Sequence, residues 1–237
     1  MRAPTDVHSD LIELSRWLGA DERDCVILGE GNTSACLGDD KLLVKASGTH
    51  LKSVGSGDFV TMRRSAVLAL LDGPVPQDER AALRSARDDT NADSDPSVET
   101  PVHALCLSLP GVRFVGHTHP TAINAITCAV DFDEVLSRQV FADQILTCGP
   151  RSLRVPCATP GIALGHTLRD ALSGYLDRWG EPPKTIYLRN HGFVALGATA
   201  NEVKALTTMA IKAATILQGT MAFGGPHDLP HNVTGHH

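Results

Sequence analysis

The sequence predicts a single α/β domain built around a layered β-sheet. Segments with the two-residue alternation of β-strands take turns along the chain with segments whose apolar residues recur at helical spacing. No internal repeat interrupts this order, and 237 residues suffice for one large domain with a sizeable core. We therefore treat residues 1–237 as one domain.

Composition and charge narrow the class of protein. Hydrophobic residues make up 42% and charged residues 20% of the chain, which is typical of a globular protein. A net charge of −6 gives no general attraction to nucleic acid or to anionic membranes. No apolar run reaches the roughly 18 residues of a membrane span, and the N-terminus lacks the apolar stretch of a signal peptide. The six cysteines form no CxxC pair, so we expect a cytoplasmic protein without cysteine chemistry.

The first third of the chain is predicted to open with a helix and to continue into strands. Thr5 or Asp6 can cap the helix, and Gly19 can end it. Gly38-Asp39-Asp40 is typical of a hairpin turn. The predicted elements are a helix over residues 6–18, strands over 33–37, 41–45 and 59–62, and a helix over 65–71.

Two segments are predicted to lie outside the core. Residues 72–96 are charged and almost free of large apolar groups, which indicates a linker or mobile loop. A short helix over 79–87 is an alternative for part of it. The C-terminal residues 222–237 are predicted to form a solvated tail.

The remainder of the chain alternates helices with strands. Ser97 is expected to cap a helix that Pro110-Gly111 ends, and Thr199 is expected to cap the last helix. The predicted elements are helices over 97–109, 120–129, 161–178 and 199–221, with strands over 112–118, 153–155 and 184–189.

The motif GHTHP places His117 and His119 two residues apart at the end of an apolar strand. Alternate side chains of a strand point to one face, about 6.5–7 Å apart at the backbone, so the two rings can converge on one atom. A pair of surface or partly buried histidines is the alternative. His191 is the best third candidate, because it also stands at a strand end and Gly192 permits close backbone approach. Three imidazoles with an open fourth position suit a catalytic Zn²⁺.

Other histidine patterns fit less well. Cupin-like sites usually carry a glutamate shortly after the HxH pair, and the HExxH signature of zinc proteases is absent. His103 and His166 lie in predicted helices and are expected not to be ligands. Glu99 falls in the first turn of a predicted helix, where the helix dipole alone can explain an acid.

Three segments together resemble the class II aldolase/adducin family, and within it the fuculose-phosphate aldolases. They are Gly29-Glu30-Gly31-Asn32-Thr33-Ser34, Glu99 followed by GHTHP, and Asn190-His191-Gly192 with Gly197 after it. The resemblance covers roughly residues 8–220, and it extends to the order and spacing of the segments.

The resemblance implies a three-layer αβα fold with a central, mostly antiparallel sheet. It also implies a homotetramer whose active sites lie near subunit interfaces. By this likeness His117, His119 and His191 are ligands of a divalent metal, usually Zn²⁺, with Mn²⁺ or Co²⁺ as alternatives. Glu99 matches the catalytic acid/base of the family.

The same likeness suggests where a substrate phosphate is held. Gly31 with Asn32, Ser47 with Gly48, and Ser97 match the phosphate-holding segments. Lys45 either contacts a phosphate or carboxylate or is a solvent-facing strand lysine. Val98 departs from the pattern, because relatives commonly have a second serine there. Well-studied aldolases of the family also use a tyrosine from a neighbouring subunit, and neither Tyr175 nor Tyr187 lies in the corresponding region.

The implied function is metal-dependent cleavage of a small ketose phosphate or related hydroxy-ketone through an enediolate. Sister reactions on the same site are the alternative: 4-epimerisation of a pentulose phosphate, dehydration of a methylthioribulose phosphate, or decarboxylation of an oxo-acid. Non-catalytic, adducin-like scaffolds have lost metal ligands, whereas this chain keeps all three histidines and Glu99.

Overall fold

A computed structural model describes residues 6–38, 40–88 and 94–230. Several predicted features lie outside the described residues: the alternative cap Thr5, the turn residue Asp39, residues 89–93 of the charged segment and residues 231–237 of the tail. Among the described helices, none combines the length and apolar character needed to cross a bilayer.

The described residues build one seven-stranded sheet. Its strands lie side by side in the order β3-β2-β1-β4-β7-β6-β5, and every neighbouring pair is antiparallel except β5 with β6. The predicted, mostly antiparallel sheet is therefore confirmed. The strands are β1 (Asn32–Gly38), β2 (Lys41–Lys45), β3 (Phe59–Arg63), β4 (Phe114–Thr118), β5 (Leu153–Val155), β6 (Thr185–Leu188) and β7 (Gly192–Gly197).

Helices cover both faces of the sheet. In the described part of the chain they are α1 (Val7–Leu18), α2 (Arg64–Ala69), α3 (Glu79–Ser85), α4 (Thr100–Cys106), α5 (Thr121–Thr127), α6 (Phe132–Ser137), α7 (Ala142–Cys148), α8 (Ile162–Trp179) and α9 (Ala200–Thr220). One core cluster joins the sheet to α1, α5, α6, α7 and α9, and a second joins it to α2, α4 and α8. On β7, Phe193 belongs to the first cluster and Val194 to the second. The three-layer αβα prediction is confirmed.

Most predicted boundaries agree with the structure, and the caps explain why. The Asp6 carboxylate accepts from the His8 backbone N–H at the start of α1, and the Thr199 hydroxyl accepts from the Glu202 N–H at 3.1 Å at the start of α9. Strand β7 and helices α6 and α7 were not predicted. Every residue of β7 is buried, so its sequence carries no polar alternation to reveal a strand.

The predicted helix over 97–109 is wrong at both ends, and Ser97 is not its cap. The Ser97 carbonyl accepts from the Thr100 N–H at 3.1 Å, which closes a turn ahead of the helix. The Ser97 hydroxyl accepts from the Glu99 N–H at 3.3 Å. The helix then begins at Thr100, with Pro101 in its first turn and Glu99 at the cap position.

Residues 79–88 and 94–96 of the charged segment 72–96 contact the body of the protein, whereas residues 72–78 are mostly exposed. Asp78 caps α3, which confirms the short-helix alternative, and Leu83 is buried. The Glu79 carboxylate accepts from the Ile162 N–H at 2.9 Å, at the first residue of α8. Arg84 holds Asp95 by two hydrogen bonds of 2.5 and 2.7 Å. These contacts lead the chain into position just before Glu99.

Candidate active site

Strand β4 carries the HxH pair into the centre of the sheet. His117 is 1% exposed and pairs with Asn32 on β1 and with Val194 on β7. His119 follows the last residue of β4, and its N–H donates to the Cys25 carbonyl at 2.8 Å. The two ring centroids are 4.8 Å apart, and their Nε2 atoms are 3.0 Å apart. The two rings therefore converge as the spacing predicted.

His191 reaches the pair from the turn between β6 and β7. Asn190 adopts the left-handed conformation with φ 55°, and the His191 N–H donates to the Leu188 carbonyl at 3.1 Å. A Cβ at Gly192 would lie only 2.6 Å from His119 Cδ2 and 2.7 Å from the Thr118 carbonyl oxygen. Glycine is required at residue 192 because this turn packs directly against the end of β4.

The three imidazoles form one cluster with a donor set that fits a divalent cation. The ring centroid of His191 is 5.0 Å from that of His117 and 4.9 Å from that of His119, and the ligand atoms all lie within 4.8 Å of one another. His117 Nδ1 is 3.0 Å from the Phe193 carbonyl oxygen, which can only accept. Nδ1 therefore carries a proton, so Nε2 is the atom that a metal would bind in place of a second proton, as in a metal-ligating histidine.

Glu99 lies against this cluster at the start of α4. The residue is 7% exposed, with Oε2 3.2 Å from His117 Nε2 and Oε1 3.2 Å from His191 Nε2. Asn32 Nδ2 donates to Glu99 Oε2 at 2.8 Å. Within the described residues His191 Nδ1 is buried without a hydrogen-bond partner, and Glu99 Oε1 makes no hydrogen bond even though His191 Nε2 lies 3.2 Å away. Unpartnered buried polar atoms are uncommon in proteins and indicate a site built for another group.

Charges within the cluster set the protonation of its members. Burial acts to raise the pKa of Glu99, but His117, His191 and the Asn32 amide outweigh it and hold that pKa below its ordinary value. Burial, with help from the other two imidazoles, lowers the pKa of His119 to about 3, and it also lowers the pKa of His191. Near neutral pH these two rings are uncharged, which is the state that binds a metal.

Three residues of the predicted phosphate-holding group join the cluster. Asn32 Nδ2 donates to Ser97 Oγ at 3.1 Å as well as to Glu99. Gly31 has φ +69°, and a Cβ there would lie 2.8 Å from the His117 carbonyl oxygen. Gly31, Asn32 and Ser97 thus lie next to Glu99 and the end of β4, on the side of β1.

The other predicted phosphate residues lie beside this group. Ser47 and Gly48 form an exposed turn, which is joined to the segment before Glu99 because the Ser47 N–H donates to the Asp95 carbonyl at 2.8 Å. Lys45 is only 3% exposed, so the solvent-facing alternative is wrong. Its ammonium donates to the Thr49 carbonyl oxygen, and burial lowers its pKa. Lys45 therefore stabilises the turn of Ser47 and Gly48 through this hydrogen bond to Thr49.

Two polar side chains outside the predicted site residues, His103 and Ser34, are buried next to the site. His103 is not one of the clustered histidines, as expected, but it is fully buried and contacts Asn32 Oδ1 and Ser34 Oγ. The sequence does contain a signal that His103 lies near the site. It comes four residues after Glu99, and residues four apart share one helix face.

Comparison with known proteins agrees with this arrangement. Residues 9–217 match the family described as the class II aldolase and adducin N-terminal domain. YuxG of Bacillus subtilis strain 168, named an uncharacterized oxidoreductase, is 26% identical over 200 residues, which are 81% of this chain and 26% of YuxG. The chain thus spans about a quarter of that relative's length.

Solved structures share the fold at low sequence identity. YgbL of Klebsiella pneumoniae, for which aldolase, epimerase and decarboxylase activities are all candidates, superposes with a TM-score of 0.69 at 19% identity, covering 95% of this chain and 94% of YgbL. The l-fuculose-1-phosphate aldolase of Thermus thermophilus superposes with a TM-score of 0.64 at 18% identity, covering 93% of this chain and 98% of that enzyme.

The family match extends over nearly the whole domain and includes the strand ends and turns that bring the histidines and Glu99 together. The chain belongs to the class II aldolase and adducin N-terminal domain family.

Proposed function

We propose that this protein is a divalent-metal-dependent aldolase, a carbon–carbon lyase of carbohydrate metabolism that cleaves a small ketose phosphate or related hydroxy-ketone. The observation that carries the proposal is the convergence of three imidazoles and one ionised carboxylate at the end of β4. Asn32 and Ser97 lie next to the Glu99 carboxylate, so a substrate could be held by their polar side chains.

His117, His119 and His191 would hold the cation, Zn²⁺ in the first instance with Mn²⁺ or Co²⁺ as alternatives. A divalent cation held there supplies Lewis-acid stabilisation for negative charge that develops on a substrate oxygen. The donor set supports this assignment, because neutral imidazoles are preferred ligands of such metals. The lowered pKa of His119 and of His191 keeps these rings in the neutral form.

Glu99 would act as the acid/base. As an anion it can accept the proton of the substrate hydroxyl at the carbon that leaves as an aldehyde. The carbon–carbon bond then breaks, its electron pair stays with the ketone fragment, and a proton is returned to that fragment. Burial of Glu99 and its hydrogen bond from Asn32 support this role, because they hold the carboxylate in one place and limit access of water.

The phosphate group of a phosphorylated substrate would be held by Gly31, Asn32, Ser97 and the exposed turn of Ser47 and Gly48. The Ser47 N–H is already bonded to Asp95, so the hydroxyl of Ser47 and the N–H of Gly48 are the donors that remain in this turn. Lys45 would act indirectly, by fixing the turn through the Thr49 carbonyl.

A sister reaction on the same site is the second candidate. Both tyrosines of the chain are engaged elsewhere: Tyr187 is buried against Phe193 in one core cluster, and the Tyr175 hydroxyl donates to the Arg151 carbonyl. Neither tyrosine therefore reaches Glu99 within its own subunit, and neither lies in the region from which a neighbouring subunit supplies the proton donor in well-studied aldolases. This departure favours an epimerase, dehydratase or decarboxylase. An adducin-like scaffold is disfavoured because the ligand set is complete.

The family likeness also leads us to propose a homotetramer with active sites near subunit interfaces and small molecules as ligands. From the composition and the N-terminal sequence we propose a cytoplasmic location. Sedimentation would test the assembly. A tetramer is expected, and a monomer at assay concentration would contradict the interface location of the site.

One experiment separates these functions. The purified protein is loaded with Zn²⁺, Mn²⁺ or Co²⁺ and incubated with a panel of phosphorylated and unphosphorylated ketoses, pentulose phosphates and oxo-acids. Release of an aldehyde from a ketose supports the aldolase. Product formation without aldehyde supports a sister reaction, and no turnover of any compound with metal bound would overturn the proposal of an enzyme.

A further inference from the structure

A buried chain of hydrogen bonds connects helix α4 to the back of Glu99. Ser34 Oγ and His103 Nδ1 are 2.6 Å apart, and His103 Nε2 contacts Asn32 Oδ1. Asn32 Nδ2 in turn donates to Glu99 Oε2 at 2.8 Å and to Ser97 Oγ at 3.1 Å. All of these residues are at most 7% exposed.

The Glu99 carboxylate at one end of this series of hydrogen bonds determines which atoms of Asn32, His103 and Ser34 donate. The Glu99 carboxylate can only accept, so the Asn32 amide must present its nitrogen to Glu99 and its oxygen to His103. His103 Nε2 therefore donates. Burial lowers the pKa of His103 to about 3, so the ring is neutral, and its Nδ1 accepts from the Ser34 hydroxyl. Only one tautomer satisfies all of these contacts.

We infer that His103 is a positioning residue for Glu99, because its fixed tautomer holds the Asn32 amide in the one orientation that donates to the Glu99 carboxylate. The inference rests on the proposed function in so far as Glu99 is the acid/base. Without a donor at Nε2, the Asn32 amide can rotate by half a turn and set its oxygen against the carboxylate. Glu99 then loses its donor and its fixed position, although no hydrogen bond or ring contact among the described residues joins His103 or Ser34 to the clustered histidines.

A double-mutant cycle tests whether His103 acts through Asn32. His103→Leu is expected to lower kcat about 10-fold to 100-fold, the usual effect of an outer-shell partner, with metal content unchanged. In an Asn32→Ala background the same change is expected to lower the residual kcat less than about twofold, because its target is gone. Independent losses that multiply in the double variant would overturn the inference.

Two further variants separate positioning from packing. His103→Gln keeps an amide N–H that can donate to Asn32 Oδ1, so it is expected to recover part of the kcat that His103→Leu loses. His166→Leu is the matched control: His166 is a partly buried helical histidine whose Nε2 is unpartnered in the described structure, and kcat is expected to stay unchanged. A glutamine variant no more active than the leucine variant, at equal folded fraction, would contradict positioning.

A spectroscopic readout does not depend on activity. Nitrogen-15 correlation spectra of the metal-free wild-type protein are expected to show His103 as the neutral tautomer protonated at Nε2. The Asn32 side-chain amide is expected to shift in His103→Gln and stay unshifted in His166→Leu. Protonation of His103 at Nδ1 alone would refute the inference. If no compound in the substrate panel turns over, the proposed function fails while these spectra still decide the role of His103.

Discussion

At the scale of single residues, His117 shows how one side chain is given a defined role by its neighbours. Its Nδ1 donates a hydrogen bond to the Phe193 carbonyl, so Nε2 faces His119 and Glu99. The pKa of His117 is raised, because Glu99 outweighs the lowering effect of burial. In the absence of a cation, Glu99 and His117 therefore form an ion pair, and a cation would take the place of the His117 proton.

Removing the charge of Glu99 while keeping its shape should abolish turnover. Glu99→Gln cannot accept a proton, and we expect kcat to fall about 100-fold or more, as for loss of a general base. Metal content, measured by mass spectrometry of the dialysed protein, should stay near the wild-type value because the three histidines remain. Wild-type activity in this variant would rule out the acid/base role.

Removing one imidazole should empty the metal site. His119→Ala leaves two histidine ligands, and we expect metal content after dialysis to fall to background, since a tight site needs at least three protein donors. His166→Ala serves as the control and should retain metal. Undiminished metal in His119→Ala would show that the ion binds elsewhere.

His103 should make the stability of the metal-free protein depend on pH in one direction. Its pKa is about 3 in the folded state and about 6.5 when unfolded, so between these values the unfolded chain binds a proton that the folded chain does not. The contribution of His103 to the free energy of unfolding is therefore complete above a pH of about 6.5. It decreases by about 1.4 kcal/mol per pH unit as the pH falls towards 3.

Urea unfolding of wild type and His103→Gln between pH 7.5 and 4.5 measures this effect. The free energy of unfolding should decline less steeply with falling pH in the variant. Parallel curves would show that the pKa of His103 is the same in the folded and unfolded protein.

At the scale of elements, the β6–β7 turn depends on close approach to β4. Gly192→Ala should displace His119 and the end of β4, because its Cβ would lie 2.6 Å from His119 Cδ2 and 2.7 Å from the Thr118 carbonyl oxygen. We expect a loss of about 1–3 kcal/mol in unfolding free energy, as for overpacking, and weaker metal binding.

Gly174→Ala is the matched control for this turn. Gly174 lies within α8 with open space around its Cα, so alanine should stabilise the helix by about 1 kcal/mol and leave metal affinity unchanged. Metal titration followed by calorimetry measures both variants, and equal affinities in the two would contradict the packing argument.

The elements also show which parts of the structure the sequence could predict. The β1–β2 hairpin and the caps of α1 and α9 depend on local chemistry, and they were predicted because turn residues and capping side chains act on neighbouring backbone. Strand β7 is buried on both faces, so its identity depends on partners distant in sequence.

Within the site, too, some features could be predicted from local sequence, and others depend on residues distant in sequence. The imidazole cluster was predictable from strand spacing and from the family resemblance. The burial of Lys45 and the hydrogen bonds of His103 depend on side chains that meet only after the sheet and α4 have packed. No local pattern reports such contacts.

At the scale of the whole molecule, the candidate site draws on four separate places: the end of β4, the β6–β7 turn, the start of α4 and the start of β1. A cation held by the three histidines would tie the end of β4 to the β6–β7 turn in the folded state only. Metal at 100 times its dissociation constant should stabilise the protein by about 2.7 kcal/mol.

Thermal unfolding before and after addition of a chelator measures this linkage. The midpoint should fall when metal is removed and rise again when Zn²⁺ is restored. His119→Ala should unfold at the same temperature with and without chelator. A chelator effect of equal size in that variant would locate the stabilising ion outside the histidine cluster.

The antiparallel alignment that sets His117 opposite Val194 and Thr118 opposite Phe193 has a consequence for how the chain matures. A mispaired chain, offset by a single residue, would turn the His117 ring towards the opposite helical layer and away from Glu99. Such a molecule could be compact and still unable to retain an ion. If the histidines hold zinc as proposed, the capacity to retain zinc would distinguish correctly paired from incorrectly paired molecules.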